Sequence, residues 1–139
     1  MKIEKISASK LAHVDFENLT FGSVFTDHMF VCKYKDGLWQ TPEVIPYQPL
    51  SFEPSMSVLH YGQAVFEGMK AYKDEQGKVW LFRPGQNFKR INRSSERLQI
   101  PQFPEEYFFE GLNTLLNLDH EWIKPCLLYT SDAADDSLR

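Results

Sequence analysis

The sequence predicts an α+β domain: an antiparallel sheet with helices packed on one side. Two observations carry this. Extended runs joined by short glycine-bearing turns occur twice before residue 84, and two stretches of helical period follow, set off by prolines.

The elements follow in order. DHMFVCKY (27–34) alternates as a strand, KDG (35–37) is a turn in which Gly37 supplies positive φ, and LWQTPEVIPY (38–47) is a second extended run. Pro42 and Pro46 place that second run at a sheet edge or outside the sheet, because proline gives no N–H to a ladder. SVLHYGQAVFEGMKAY (57–72) reads as a short helix running into a strand, punctuated by Gly62 and Gly68. MKAYK (69–73), DEQG (74–77) and KVWLFR (78–83) repeat the strand–turn–strand logic. After Pro84-Gly85, QNFKRINRSSERLQI carries Phe88, Ile91, Ser95 and Leu98 on one helical stripe, with Pro84 near its start and Pro101 beyond its end. A second helix is predicted over 104–119, burying Phe108, Leu112, Leu115 and Leu116. The chain shows no repeat, low-complexity segment or internal linker.

Composition bounds the function. At 139 residues the chain fits one domain, on the usual scale of roughly 100–200 residues each. The aromatic fraction of 14% argues for an aromatic-rich core or pocket rather than disorder. A net charge of −4 argues against a polyanion partner such as nucleic acid. No apolar run approaches the roughly 20 residues of a membrane span. The opening MKIEKISASKLAHVDFENL includes Glu4 and lacks an apolar block, so it does not read as a signal peptide. Cys32 and Cys126 have no CxxC spacing, and the four histidines lack metal-ligand spacing. The expectation is a cytoplasmic globular domain without a metal site.

The last fourteen residues, CLLYTSDAADDSLR (126–139), continue no period of what precedes them. Residues 126–136 resemble the translation of a transposon-end sequencing adapter. We read 1–125 as the domain and 126–139 as a non-native tail, with the natural protein continuing past Pro125. Setting aside Asp132, Asp135, Asp136 and Arg139 moves the formal charge from −4 to −2.

Four places invite chemistry. In FGSVFTDHMF (21–30), Asp27 and His28 are adjacent on a strand and cannot both face inward, so they are not expected to form a dyad. The opening stretch offers nothing specific. In LFRPGQNFKRINRSSERL (81–98), Arg83, Arg90 and Arg97 recur every seven residues near a helix start, a pattern that suits either an anion such as phosphate or a solvated basic face. Lys70 on its strand reads as a solvent-facing lysine in preference to a nucleophile.

Taken in order, FGSVFTDHM, LHYGQAVFEGMKAY, LFRPGQNFKRINRSSERLQIP and DHEWI resemble the amino-terminal small domain of branched-chain amino acid aminotransferases. These are fold-type IV enzymes that use pyridoxal 5'-phosphate. The likeness spans nearly all of 15–123. Other fold-type IV enzymes, such as D-amino acid aminotransferases and aminodeoxychorismate lyases, lack the FGSVFTDHM lead-in and the RPxxNxxR stretch. A non-catalytic domain that keeps the pocket shape is the alternative of a different class.

The resemblance implies roles. Phe21, Tyr61 and Phe66 line an apolar pocket for a branched side chain, and Arg90 binds the cofactor phosphate. Tyr61 reaches the pocket of a neighbouring subunit, which implies a homodimer. Gly68 turns the chain from the short helix into the strand. No catalytic residue is assigned here, because the family's Schiff-base lysine lies in a second domain beyond Pro125. The implied reaction is ping-pong transamination from leucine, isoleucine or valine to 2-oxoglutarate.

Overall fold

The computed structural model describes residues 1–125, so the tail read from Cys126 onward lies outside the described residues. In chain order the elements are β1 (Lys2–Ile3), β2 (His28–Val31), β3 (Tyr34–Lys35), β4 (Leu38–Trp39), β5 (Glu43–Pro46), α1 (Ser57–Tyr61), β6 (Ala71–Lys73), β7 (Val79–Leu81), α2 (Pro84–Arg97) and α3 (Glu105–Leu118). The fold is α+β, as expected.

The first predicted hairpin forms in two pieces. Asp36 and Gly37 both take positive φ (54° and 80°), the backbone that a two-residue type I′ turn requires, and they join β3 to β4. Farther out the arms pair again as β2 and β5, with the register slipped by one residue. Tyr34 faces Trp39, but Val31 faces Glu43. The extra residue falls on the second arm near Pro42, where a missing N–H costs the ladder nothing.

The expectation that Pro42 and Pro46 would put this run at an edge is corrected. β5 is the central strand of a three-stranded sheet in the order β1-β5-β2. Pro46 is tolerated because it ends the strand. The next N–H, of Tyr47, bonds the Asp27 carbonyl at 2.8 Å, so by alternation Pro46 faces away from β2, beyond the end of β1. The sheet is also not wholly antiparallel: β1 runs parallel to β5. The second hairpin, β6–β7, is separate and antiparallel. Its turn is organised by Asp74, whose carboxylate accepts from the amides of Gln76 and Lys78 and from the Trp80 indole N–H.

Helix α3 lies on β2 and β5. Gly111 lets it approach: a Cβ there would stand 2.3 Å from the Phe30 ring. Helix α2 begins on Pro84 as predicted, and its Phe88 packs against Phe108 and Phe109 of α3. Asn92 fixes the connection by exchanging two hydrogen bonds with the backbone of Phe103. Leu98, on the same stripe by its period, is 42% exposed, the helix having ended at Arg97. Among the described residues, Val44 of β5 is the apolar side chain that reaches full burial.

A polar knot ties the opening stretch and the start of β2 to the end of α3. Asp27, His28 and Asp119 are 7%, 6% and 5% exposed. Both Asp27 and His28 are buried although neighbours on a strand face opposite ways, because loops cover the second face. They form no dyad, since each turns to different partners. Asp27 accepts from the Ser9 hydroxyl, the Lys10 amide and the Trp122 indole. Burial pushes the Asp27 carboxyl up, but the bonds from Ser9, Trp122 and Lys10 together hold it below its ordinary value. His28 Nε2 accepts the Ile6 N–H, so Nδ1 carries the proton and donates to Asp119 at 2.6 Å. The His28 backbone N–H donates to the other Asp119 oxygen. The DHEWI stretch thus closes onto TDH, joining the end of α3 to the start of β2.

Candidate functional site

An open pocket of about 700 Å³ lies between the segment after α1, the strand β6 and the start of α2. Such a volume is in the range that accommodates a small ligand, roughly 300–1,000 Å³. Phe21, Phe66 and Phe82 give it apolar wall, while Lys70, Arg83 and Arg90 give it positive charge. Local backbone places these groups. Gly22, at φ 73°, turns the chain beside Phe21. Arg83 is left-handed at φ 49° and bends the chain from β7 into α2. A non-glycine residue in that region carries strain on the order of 1 kcal/mol or more.

Arg90 sits one turn beyond Gln86 on α2. Its Nε donates to Glu67 Oε2 at 2.6 Å and its Nη2 to Oε1. Glu67 also accepts from the Asn87 side chain at 3.0 Å and from the Gly68 amide at 3.1 Å. Asn87 donates as well to the Gly68 carbonyl at 2.9 Å. The pair is asymmetric: the Glu67 side chain is 5% exposed and that of Arg90 58%. The hydrogen bond from Arg90 holds the Glu67 carboxyl below its ordinary value, against the opposing pull of burial.

The structure brings together three of the four residues assigned from sequence. Phe21, Phe66 and Arg90 line the same pocket. Tyr61 does not line it; it ends α1 and is 86% exposed. Lys70 lines the pocket and is exposed, while Arg97 lies at the far end of α2 and outside the lining. The role given to Gly68 is corrected. The chain leaves α1 at Gly62, which is left-handed at φ 60°, whereas Gly68 has no positive φ. A Cβ at Gly68 would meet the Phe66 ring at 3.6 Å, an ordinary contact.

Glu67 and Asn87 were not singled out from sequence. Asn87 and Arg90 are three apart on a helix and therefore share a face, a signal that was present. Nothing local joins Glu67 to that face, since its partners lie 20 and 23 residues away.

Fold and pocket together define a small domain that presents an arginine fork beside an aromatic wall, an arrangement suited to a ligand with an anionic end and an apolar end. Comparison with curated proteins is specific. The chain is 52% identical over 110 residues to branched-chain-amino-acid transaminase 1 of Bacillus subtilis, covering 78% of this chain and 31% of that protein. It is 51% identical over 120 residues to aminotransferase 2 of the same organism, covering 86% and 33%. To a probable branched-chain-amino-acid aminotransferase of Staphylococcus epidermidis it is 47% identical over 124 residues, covering 88% and 34%. These curated homologues, alike over most of this chain, are branched-chain-amino-acid aminotransferases. The chain spans about a third of the length of these relatives. No protein-family model matches the chain.

Proposed function

We propose that the whole protein is a branched-chain-amino-acid aminotransferase of fold type IV, moving the amino group of leucine, isoleucine or valine to 2-oxoglutarate by ping-pong transamination with pyridoxal 5'-phosphate. The observation that carries the reading is the sequence match over most of the chain. The pocket is compatible with it. Arg90 has five N–H donors and gives two to Glu67, which leaves three for a phosphate. Arg83 lines the same pocket and adds charge, and the aromatic rings beside it suit the flat face of a pyridine.

When bound, the cofactor supplies the electron sink that lets the α-proton of the amino acid leave. The proposed work of this chain is to bind and orient. Arg90 anchors the phosphate by charge-assisted bonds, the strong kind. Phe21 and Phe66 exclude water and contact the branched side chain at small entropic cost. Tyr61, outside this pocket, serves the pocket of a second subunit in a homodimer. The cytoplasm is its proposed location. Residues 1–125 are the small domain and 126–139 a non-native tail; the chain taken alone lacks the cofactor lysine of that family and is inactive.

The test is cofactor binding by the full-length apo-protein. Arg90→Ala is expected to weaken affinity for pyridoxal phosphate by about 10–100-fold, the worth of a charged hydrogen-bonded contact. Arg90→Lys keeps the charge but loses the fork, so its deficit is smaller. Equal affinity in Arg90→Ala and wild type removes the assignment.

A further inference from the structure

The Arg90 guanidinium has two edges that differ in what they touch. One edge, Nε and Nη2, is committed to Glu67. The other, at Nη1, is left on a side chain that is mostly exposed and lines the pocket. The carboxylate is the fixed member of the pair. It is almost wholly buried, and the Asn87 amide and Gly68 N–H hold it from two further directions. Asn87 is itself tied to the Gly68 carbonyl, so the support is a closed ring of bonds.

We infer that Glu67 is the positioning residue for Arg90: it clamps the Nε–Nη2 edge so that the Nη1 edge meets an anionic phosphate monoester in the pocket already oriented. This rests on the reading of pyridoxal phosphate as the cofactor. Orientation and charge make opposite demands here. A carboxylate against the guanidinium offsets part of its positive charge, and by Coulomb's law alone its removal would tighten phosphate binding. A long arginine freed from its clamp must instead be ordered by the ligand, which weakens binding. The sign of the change separates the two effects.

Apo full-length protein, titrated with pyridoxal phosphate and separately with unphosphorylated pyridoxal, supplies the test. Glu67→Gln removes the charge and one acceptor at nearly constant shape. It is expected to weaken pyridoxal phosphate by about tenfold and leave pyridoxal unchanged. In an Arg90→Ala background the same substitution is expected to change little, because the coupled partner is gone. Asn87→Ala, which loosens Glu67 without touching the carboxylate, is expected to weaken pyridoxal phosphate in the same direction by a smaller factor. It serves also if Glu67→Gln does not fold. Unchanged or tighter binding of pyridoxal phosphate overturns the inference, as does an equal loss of both ligands. Wild-type protein that binds no pyridoxal phosphate overturns the functional reading instead, and is recognised before any variant is compared.

Discussion

Asp27, His28 and Asp119 sit under cover with each side-chain polar atom engaged, while Phe21, Phe66 and Phe82 stand mostly in solvent around the pocket. The two regions belong to one chain of 139 residues and differ in how they are completed. Around β2, β5 and α3, the chain supplies its own partners. Ser9, Lys10 and Trp122 converge on Asp27, Ile6 and Asp119 bracket His28, and among the described residues no buried side-chain nitrogen or oxygen lacks a bond. At the start of α2, Glu67 gathers the bonds from Asn87 and Arg90, and the aromatic rings of the pocket face outward. A contiguous exposed apolar surface marks a site of interaction or ligand binding. The closed region therefore sets stability, and the open region is free to be shaped by ligand.

That contrast is broken most directly at Asp119. Asp119→Ala strips the acceptor from two buried donors, the His28 backbone N–H and Nδ1–H. Each orphaned donor costs about 1–3 kcal/mol, so a loss of about 2–6 kcal/mol is expected. Tyr61→Ala in the open region is expected to change stability by less than about 0.5 kcal/mol. Urea unfolding of both variants measures the difference; comparable losses would mean that the two regions are not energetically distinct.

Gly111→Ala sharpens the same contrast on the apolar side. Its Cβ would meet three Phe30 ring atoms at 2.3, 2.5 and 2.9 Å. Phe30 cannot retreat freely, because its ring already meets Phe103 edge-on at 6.1 Å. Overpacking of this kind costs about 1–3 kcal/mol. Adding Phe30→Leu is expected to recover part of the loss, and failure to do so would place the strain elsewhere in α3.

Much of this architecture was legible in sequence, and the exceptions have physical causes. Both hairpin turns were marked by glycines, and α2 and α3 by period and proline. β1 shows no signal because it is two residues long and pairs with β5 from 41 residues away. The prolines of the second run misled because their penalty depends on which way the missing N–H points, which is a property of register. In the site, Phe21, Phe66 and Arg90 were named through resemblance and lie together. Glu67 was not, since a buried acid on an irregular segment shows no period. The knot between TDH and DHEWI was equally hidden, its partners being 91 and 95 residues apart.

Acid offers a gentler test of the closed region. The Asp27 carboxyl is held below its ordinary value of 3.8 in the folded chain, where hydrogen bonds outweigh burial. A depressed folded value means that its stabilisation is complete above the unfolded value and is lost as pH falls through the folded one. Urea midpoints followed from about pH 5 down to about pH 2 are expected to fall in wild type. The fall should be shallower in Asp27→Asn, which has no proton to take up. An identical acid limb in the two proteins would show that Asp27 contributes nothing to it.

The smallest expected effect separates two glycines six residues apart in the open region. Gly62 ends α1 at φ 60°, a conformation that L side chains enter at a cost of about 1–2 kcal/mol. Nothing lies within 4 Å of a Cβ built there, so any cost of Gly62→Ala is conformational and not steric. Gly68 is the converse case. Its φ lies outside the left-handed region, and an added Cβ meets only the Phe66 ring at 3.6 and 3.7 Å. Alanine also restricts the unfolded chain, which works in favour of the folded state. Gly68→Ala is thus expected within about 0.5 kcal/mol of wild type. Its bonds to Glu67 and Asn87 use backbone atoms that alanine retains. Paired urea midpoints decide between them: a larger cost at Gly68 than at Gly62 would return the turn to Gly68 and undo the assignment of the left-handed cap.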